Sequence, residues 1–228
     1  IRLLSMNSFD FGLNKKGRQK YRSFLQDNFA SIEERSETDC IILDLRQNDG
    51  GYVGNDSQLF SYFAQDTFRD AASAEVKSLK IGVKEHLARE QFSKMLERLL
   101  AKDFKPSADG RLFMIDEKNR QWKPKKKAFD GHVLALISGW THSGGAVFCS
   151  YLLNNDNVTF IGEETGGGHA TFTAGNMVLY DLPNSRCQVE IPLILYENYR
   201  GKKTFPKGSG IRPEHKVTQS QKDLINNV

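Results

Sequence analysis

The apolar positions along the chain fall into short runs separated by polar, glycine-rich turns, and this rhythm predicts the fold. Ile1–Met6 (IRLLSM) reads as a strand. Over residues 14–35, Tyr21, Phe24, Leu25, Phe29 and Ile32 recur at helical spacings, which predicts an amphipathic helix with one buried stripe. Cys40–Leu45 (CIILDL) is apolar on both faces for most of its length, as in a strand of a parallel sheet covered on both sides. The turn cluster RQNDGG follows, then a helix predicted over Ser57–Ala64. The alternation resumes with His132–Ser138 (HVLALIS), the turn GWTHSGG, a helix from Gly144 to Asn154 and a short strand, Val158–Gly162. Beyond GEETGGG lie β-like stretches around Ala170–Tyr180 and Cys187–Leu195. Strand, helix, strand, glycine-rich turn, helix is the pattern of an α/β protein.

Residues 81–130 break the rhythm and are expected to be a mostly helical insertion carried on that core. Leu87, Phe92, Met95, Leu96, Leu99 and Leu100 outline an amphipathic helix there. Lys118, Arg120, Lys123, Lys125, Lys126 and Lys127 then crowd together, and a solvated loop is the expected setting for such a run. The last dozen or so residues are polar and are expected to fray.

Composition narrows the choices further. A chain of 228 residues is one large domain or two small ones at roughly 100–200 residues per domain. With 39% hydrophobic residues and 15 Phe it can build a real core, which excludes wholesale disorder. No apolar run approaches the ~18 residues of a membrane span. A net charge of +4 is too small to predict a nucleic-acid partner, and none is expected. Cys40, Cys149 and Cys187 form neither a CxxC pair nor a zinc spacing, so no metal and no cofactor are expected. The chain starts at Ile1 with no initiator methionine or signal peptide, so it is expected to be a fragment or a processed form.

Three segments could carry chemistry, and each follows a predicted buried strand, where open α/β sheets bind ligands. In Asp44–Gly51 (DLRQNDGG), paired glycines can bring backbone N–H groups close to an oxyanion or phosphate. The alternative is an ordinary turn glued by Asp44 and Arg46. A dinucleotide site is not expected, because GxGxxG is absent. In Thr141–Ala146 (THSGGA), Ser143 sits at a strand-to-helix junction with the N–H of Gly144 at the positive end of the helix. That suits a nucleophile whose acyl intermediate needs an oxyanion hole, and equally a serine that merely caps the helix. The spacing is not GxSxG, which disfavours an α/β-hydrolase. The third segment, Gly162–His169 (GEETGGGH), offers tight packing beside a site or a plain turn.

Taken together and in order, these segments resemble the tail-specific or C-terminal-processing serine peptidases of family S41. The family pattern runs DLRxNxGG, a TxSAxE-like nucleophile turn, GExTxG and a GxGxxPD-like closing segment. Here these read Asp44–Gly51, Thr141–Ala146, Gly162–Gly167 and Gly208–Glu214 (GSGIRPE). The resemblance implies a Clp/crotonase-like α/β core of stacked ββα units, spanning residues 1–228 with the insertion at about 81–130. It implies hydrolysis of peptide bonds in a peptide or protein substrate by a Ser143 acyl-enzyme. The amides of Gly144, Gly50 and Gly51 would form the oxyanion hole. In other members an N-terminal segment and a PDZ-like domain come before this point, and neither is visible in this chain. A cell-envelope, periplasmic or secreted location is implied too, with membrane association through the missing N-terminal segment.

The departures bear on the proton acceptor, which serine needs because its hydroxyl is barely ionised near neutral pH. Ala146 stands where a glutamate often follows the nucleophile, and Gly168 where the processing-protease branch has its lysine. Thr165-Gly166-Gly167 looks like the tricorn-like branch, which pairs serine with a histidine from a segment before the PDZ domain. The candidates are therefore His169, His142, or a histidine outside this chain. His86, His132 and His215 read as surface or structural. Glu197 is a weak match to the glutamate that the tricorn-like branch uses near the closing motif. Two other readings compete: a non-catalytic peptide-binding member of the same fold, and a crotonase-like acyl-CoA enzyme whose basic cluster meets CoA phosphates.

Overall fold

A computed structural model describes residues 1–12, 14–34, 38–52, 54–199, 203, 205–206, 208–218 and 220. In chain order the elements are β1 (Arg2–Ser5), α1 (Lys15–Glu33), β2 (Cys40–Asp44), α2 (Asn55–Phe60), β3 (Phe68–Arg69), β4 (Ser73–Val76), α3 (Ser93–Asp103), β5 (Phe104–Pro106), β6 (Leu112–Met114), β7 (Gln121–Trp122), β8 (His132–Ile137), α4 (Gly144–Leu152), β9 (Val158–Gly162), β10 (Thr171–Thr173), β11 (Met177–Asp181), β12 (Gln188–Pro192), β13 (Leu195–Glu197) and β14 (His215–Lys216). They gather into two compact units. The first comprises residues 1–67, 122–170 and 200–228, the second residues 68–121 and 171–199.

The first unit is an α/β layer structure built on a parallel sheet in the order β1-β2-β8-β9-β14. Leu4 lies opposite Leu43, Leu43 opposite Ala135, and Ala135 opposite Phe160, so one row of apolar side chains crosses four strands. Strands β2 and β8 bury alternate residues fully, Ile41 and Leu43 on β2 and Val133, Ala135 and Ile137 on β8. The residues between them, such as Ile42, Leu134 and Leu136, are buried only in part, so the expected burial on both faces holds fully for one face only. Helix α1 buries Tyr21, Leu25 and Phe29 of its predicted stripe, and the Tyr21 hydroxyl donates to the carbonyl of Asn55 at 2.7 Å. Asn14 caps α1 through Oδ1, which accepts from the N–H of Gly17 at 2.7 Å. Helices α2 and α4 meet through Phe60 stacked on Tyr151 at 5.4 Å and Ser57 Oγ bonded to the Tyr151 hydroxyl at 3.2 Å. Helix α4 is buried almost all round, from Gly145 to Leu152, as befits a helix with nearly no polar side chains. Burial pushes the Cys149 thiol on that helix well above its ordinary pKa.

The second unit is an antiparallel sheet in the order β10-β13-β4-β6-β5. Its core is Ala74, Val76, Leu100, Phe104 and Ile194. The segment 81–130 holds the expected helix, α3, over Ser93–Asp103, but also β5, β6 and β7. Strands of two or three residues are too short to display a period, so the sequence pattern does not reveal them. On α3 the carboxylate of Glu97 accepts from the N–H of Ile81 at 3.0 Å and from Lys84 Nζ at 2.8 Å, with Lys80 at 3.7 Å. The Lys84 hydrogen bond leads the effects that hold its pKa down to about 2. A separate hairpin pairs β11 with β12, Val178 opposite Ile191. The tail expected to fray, residues 217–228, lies mostly outside the described residues.

Candidate active site

The sheet of the first unit delivers three loops to one place. The loop after β2 begins with a clasp between Asp44 and Arg46: the guanidinium donates at 3.0 and 2.8 Å, and the Arg46 N–H at 3.1 Å. Burial raises the Asp44 pKa, but these bonds from Arg46 outweigh it and hold the carboxyl below its ordinary value. The structural glue expected for this pair is therefore present. Asn48 then organises the turn from a fully buried position. Its Nδ2 donates to the carbonyl of Met6 at 2.7 Å and its Oδ1 accepts from the N–H of Gly50 at 2.9 Å. Its own carbonyl accepts from the N–H of His142 at 3.1 Å. Asn48 stands within the DLRQNDGG motif, but its task is not legible there, since Met6 and His142 lie far along the chain.

Residues 8 and 9 complete the cradle, another contribution with no sequence signal. Ser8 Oγ and the Phe9 N–H both donate to the carbonyl of Gly50, at 3.0 and 2.6 Å. A Cβ on Gly51 would lie 2.3 Å from the carbonyl carbon of Phe9, so only glycine fits, and its φ of +143° is one that side chains avoid.

The loop after β8 is held from both ends. Thr141, fully buried, donates through Oγ1 to the carbonyl of Leu45 at 2.8 Å and accepts there from the N–H of Ser138 at 3.0 Å. Ser138 Oγ donates to the carbonyl of Arg46 at 2.5 Å and accepts from the N–H of Trp140 at 3.1 Å. At the mouth of α4 stands Ser143 with φ +50° and ψ −128°, a conformation that costs a non-glycine residue ~1–3 kcal/mol. Its side chain caps nothing on α4, and its Oγ makes no hydrogen bond among the described residues. The helix-capping alternative is thereby set aside.

Three glycines from three segments leave room for this serine. A Cβ on Gly50 would sit 2.6 Å from Ser143 Cβ and 2.7 Å from the amide nitrogen of Gly144. A Cβ on Gly145 would sit 2.7 Å from Asn48 Oδ1, and one on Gly167 would sit 3.1 Å from the nitrogen of Ser143. The amides of Gly51 and Gly144 donate to no group among the described residues, and Gly144 opens α4, where N–H groups have no helical acceptor. The Gly50 N–H, expected to share the oxyanion role, is occupied by Asn48 Oδ1. Gly50 serves instead by its missing side chain.

The loop after β9 supports the other two. Thr165 Oγ1 donates to the carbonyl of Gly167 at 2.8 Å and accepts from the N–H of Ile211 at 2.8 Å. Glu164 accepts from the Gly210 N–H at 2.8 Å, and the Arg212 guanidinium approaches it at 3.3 Å. The closing motif thus acts at one remove, by fixing the turn that carries Gly167.

The histidines fall apart as candidates. His169 is 3% exposed. Its Nε2 accepts from the N–H of Phe205 at 3.2 Å and its Nδ1 lies 3.3 Å from the carbonyl of Ser209. Both ring nitrogens of His169, one of the three candidates for the base, are therefore committed to the closing segment. The ring of His142 makes no hydrogen bond among the described residues. His132 Nε2 meets Thr159 Oγ1 at 3.2 Å at the surface, and His215 lies exposed on β14. Glu197 lies on β13 of the second unit and accepts from Ser73 Oγ at 3.1 Å.

The family model described as Peptidase family S41 matches residues 1–217. Solved structures share the fold at low sequence identity. Mature CPAF is 14% identical with a TM-score of 0.60, over 97% of this chain and 47% of that one. A lipoprotein from Streptococcus agalactiae is 15% identical with a TM-score of 0.51, over 99% of this chain and 63% of that one. The photosystem II D1 C-terminal processing protease is 13% identical with a TM-score of 0.53, over 95% of this chain and 42% of that one. The chain thus spans about half the length of solved structures it matches. No curated protein sequence matches it.

Proposed function

Because the chain belongs to peptidase family S41, we propose that it is the core of a serine endopeptidase with Ser143 as its nucleophile. The observation that carries this reading is the strained backbone of Ser143 at the start of α4, its Oγ unbonded and the two nearby amides without an acceptor among the described residues. Strain of this kind persists at functional sites, where the surrounding structure enforces it. In the proposed reaction Ser143 Oγ attacks the carbonyl carbon of the scissile peptide, and its proton passes to a base. The N–H groups of Gly144 and Gly51 receive the oxyanion, aided by the positive end of α4. Collapse of the tetrahedral intermediate breaks the C–N bond, and the amine leaves with the proton from the base. Water then attacks the acyl-enzyme and regenerates the serine. Each oxyanion donor supplies about 10²–10³ in rate.

The base in this reading is a histidine outside these 228 residues, since no described ring bonds Ser143 and both nitrogens of His169 are taken. That same lack of a partner for Ser143 also favours a second reading, a peptide-binding protein without chemistry. A fluorophosphonate separates them. Labelling of Ser143 in the full-length protein and not in the 228-residue chain is the expected result. No adduct in either defeats the peptidase reading.

A further inference from the structure

Trp140 is 73% exposed, the most exposed of the aromatic side chains of the core-forming type. A lone exposed apolar residue is ordinary on a protein surface. Trp140 differs in how it is held. Its N–H is bound by Ser138 Oγ, which itself is tied to the carbonyl of Arg46. The next residue, Thr141, is fully buried and locked to Leu45 and Ser138 through one hydroxyl. On the preceding side, a Cβ on Gly166 would lie 2.1 Å from the carbonyl of Gly139, so another loop is pressed against the turn. The backbone is thus fixed on both sides of a side chain left in water. The indole stands three residues before Ser143, a stretch that spans at most about 11 Å.

We infer that Trp140 is a specificity-determining contact for the substrate: it receives a large apolar side chain of an extended polypeptide, close to the bond presented to Ser143. The inference rests on the reading of Ser143 as nucleophile for its place in the reaction, though not for the contact itself. A rigid backbone has already lost the freedom that binding would otherwise cost, so the contact adds affinity cheaply. Tryptophan provides the largest apolar area with few rotatable bonds, which is why it dominates binding hot spots. Its π face does not discriminate sharply among Phe, Leu and Met, so the preference is for large apolar residues as a class and against Asp and Lys.

The test separates binding from chemistry. The full-length protein carrying Ser143→Ala is titrated with octapeptides of Gly, Ala and Ser that bear a single Phe, Leu, Asp or Lys, and the indole emission is read. The Phe and Leu peptides are expected to shift it, the Asp and Lys peptides to bind at least tenfold more weakly. Adding W140F removes the shift while keeping most of the affinity, and adding W140A weakens Phe and Leu peptides by about 10–100-fold. A W140A protein that binds the Phe and Leu peptides as tightly as the protein with Trp140 overturns the inference, as does the absence of any emission shift. Binding through Trp140 in a protein whose Ser143 never labels defeats the peptidase reading alone.

Discussion

Substituting Gly50 by alanine tests the arrangement of the site most directly, because this glycine contributes only space. Its φ is +95°, where a side chain costs roughly 1–2 kcal/mol. The added methyl would meet Ser143 Cβ at 2.6 Å, the Gly144 nitrogen at 2.7 Å and Ser143 Oγ at 2.9 Å. Ordinary carbon contacts lie at about 3.5–4.0 Å, so the turn must part by roughly 1 Å. A displacement of that size costs about 10²-fold in a positioned reaction. The methyl also covers one of the two proposed oxyanion donors, worth another 10²–10³. G50A is therefore expected to lose at least about 100-fold in the rate of fluorophosphonate labelling, and a few degrees in Tm at about 2–4 °C per kcal/mol. Gly12→Ala is the control. Its φ is +81° but nothing lies within 4 Å of the new methyl, so it carries comparable backbone strain without the collision. It should lose a similar few degrees and label at the normal rate. Normal labelling by folded G50A would refute the placement of Gly50 against Ser143 and Gly144.

Three further outcomes follow from the structure. Ser143→Gly removes the proposed nucleophile and relieves a conformation that only glycine adopts easily, so labelling vanishes while Tm rises by about 2–4 °C, roughly 1 kcal/mol; a lower Tm would show that Ser143 is not strained. Asn48→Ala strands the Gly50 N–H and the Met6 carbonyl in the interior at about 1–3 kcal/mol each, and should cost roughly 5–15 °C by thermal unfolding together with much of the labelling; an unchanged Tm would exclude Asn48 as the organiser of the turn. Glu97 is held at about 2 against an ordinary 4.5, so its ion pairs stabilise the fold fully above pH 4.5 and are lost as the pH falls from there towards 2. Tm measured across that window should fall less steeply in E97Q, whose amide does not titrate, and parallel slopes would contradict the assignment.

Much of the first unit was legible because its strands are long enough to display their character. The runs at Cys40–Asp44, His132–Ile137 and Val158–Gly162 are apolar almost throughout and appear where the pattern puts them. Helix α2 starts at Asn55 instead of Ser57, because Gly54 at φ +90° turns the chain into it earlier than the apolar residues suggest. The strand-turn-helix junction that carries Ser143 and Gly144 could be read from its glycines. The parts played by Asn48, Ser8 and Phe9 could not, since they depend on hydrogen bonds across some forty residues of chain. The ring contacts of His169 were hidden for a related reason. A histidine in a glycine-rich loop looks available, and only folding shows that Phe205 and Ser209 claim its two nitrogens. In the second unit the brief strands β5, β6 and β7 carry no period to be read.

The clamp between the closing motif and the loop after β9 has a consequence for how the protein comes into being. The chain emerges from the ribosome N-terminus first, and domains fold largely as units during synthesis. Ser143, its two amides and the Asn48 turn are all made before residue 168, yet Thr165 is not pinned until Ile211 arrives, and β9 gains its last neighbour only with His215 and Lys216. A nascent chain would hold every proposed reacting atom and still lack the turn that seats Gly167 against Ser143. The order of synthesis would therefore keep the serine silent until Ile211 and the residues after it that pair with β9 have been made.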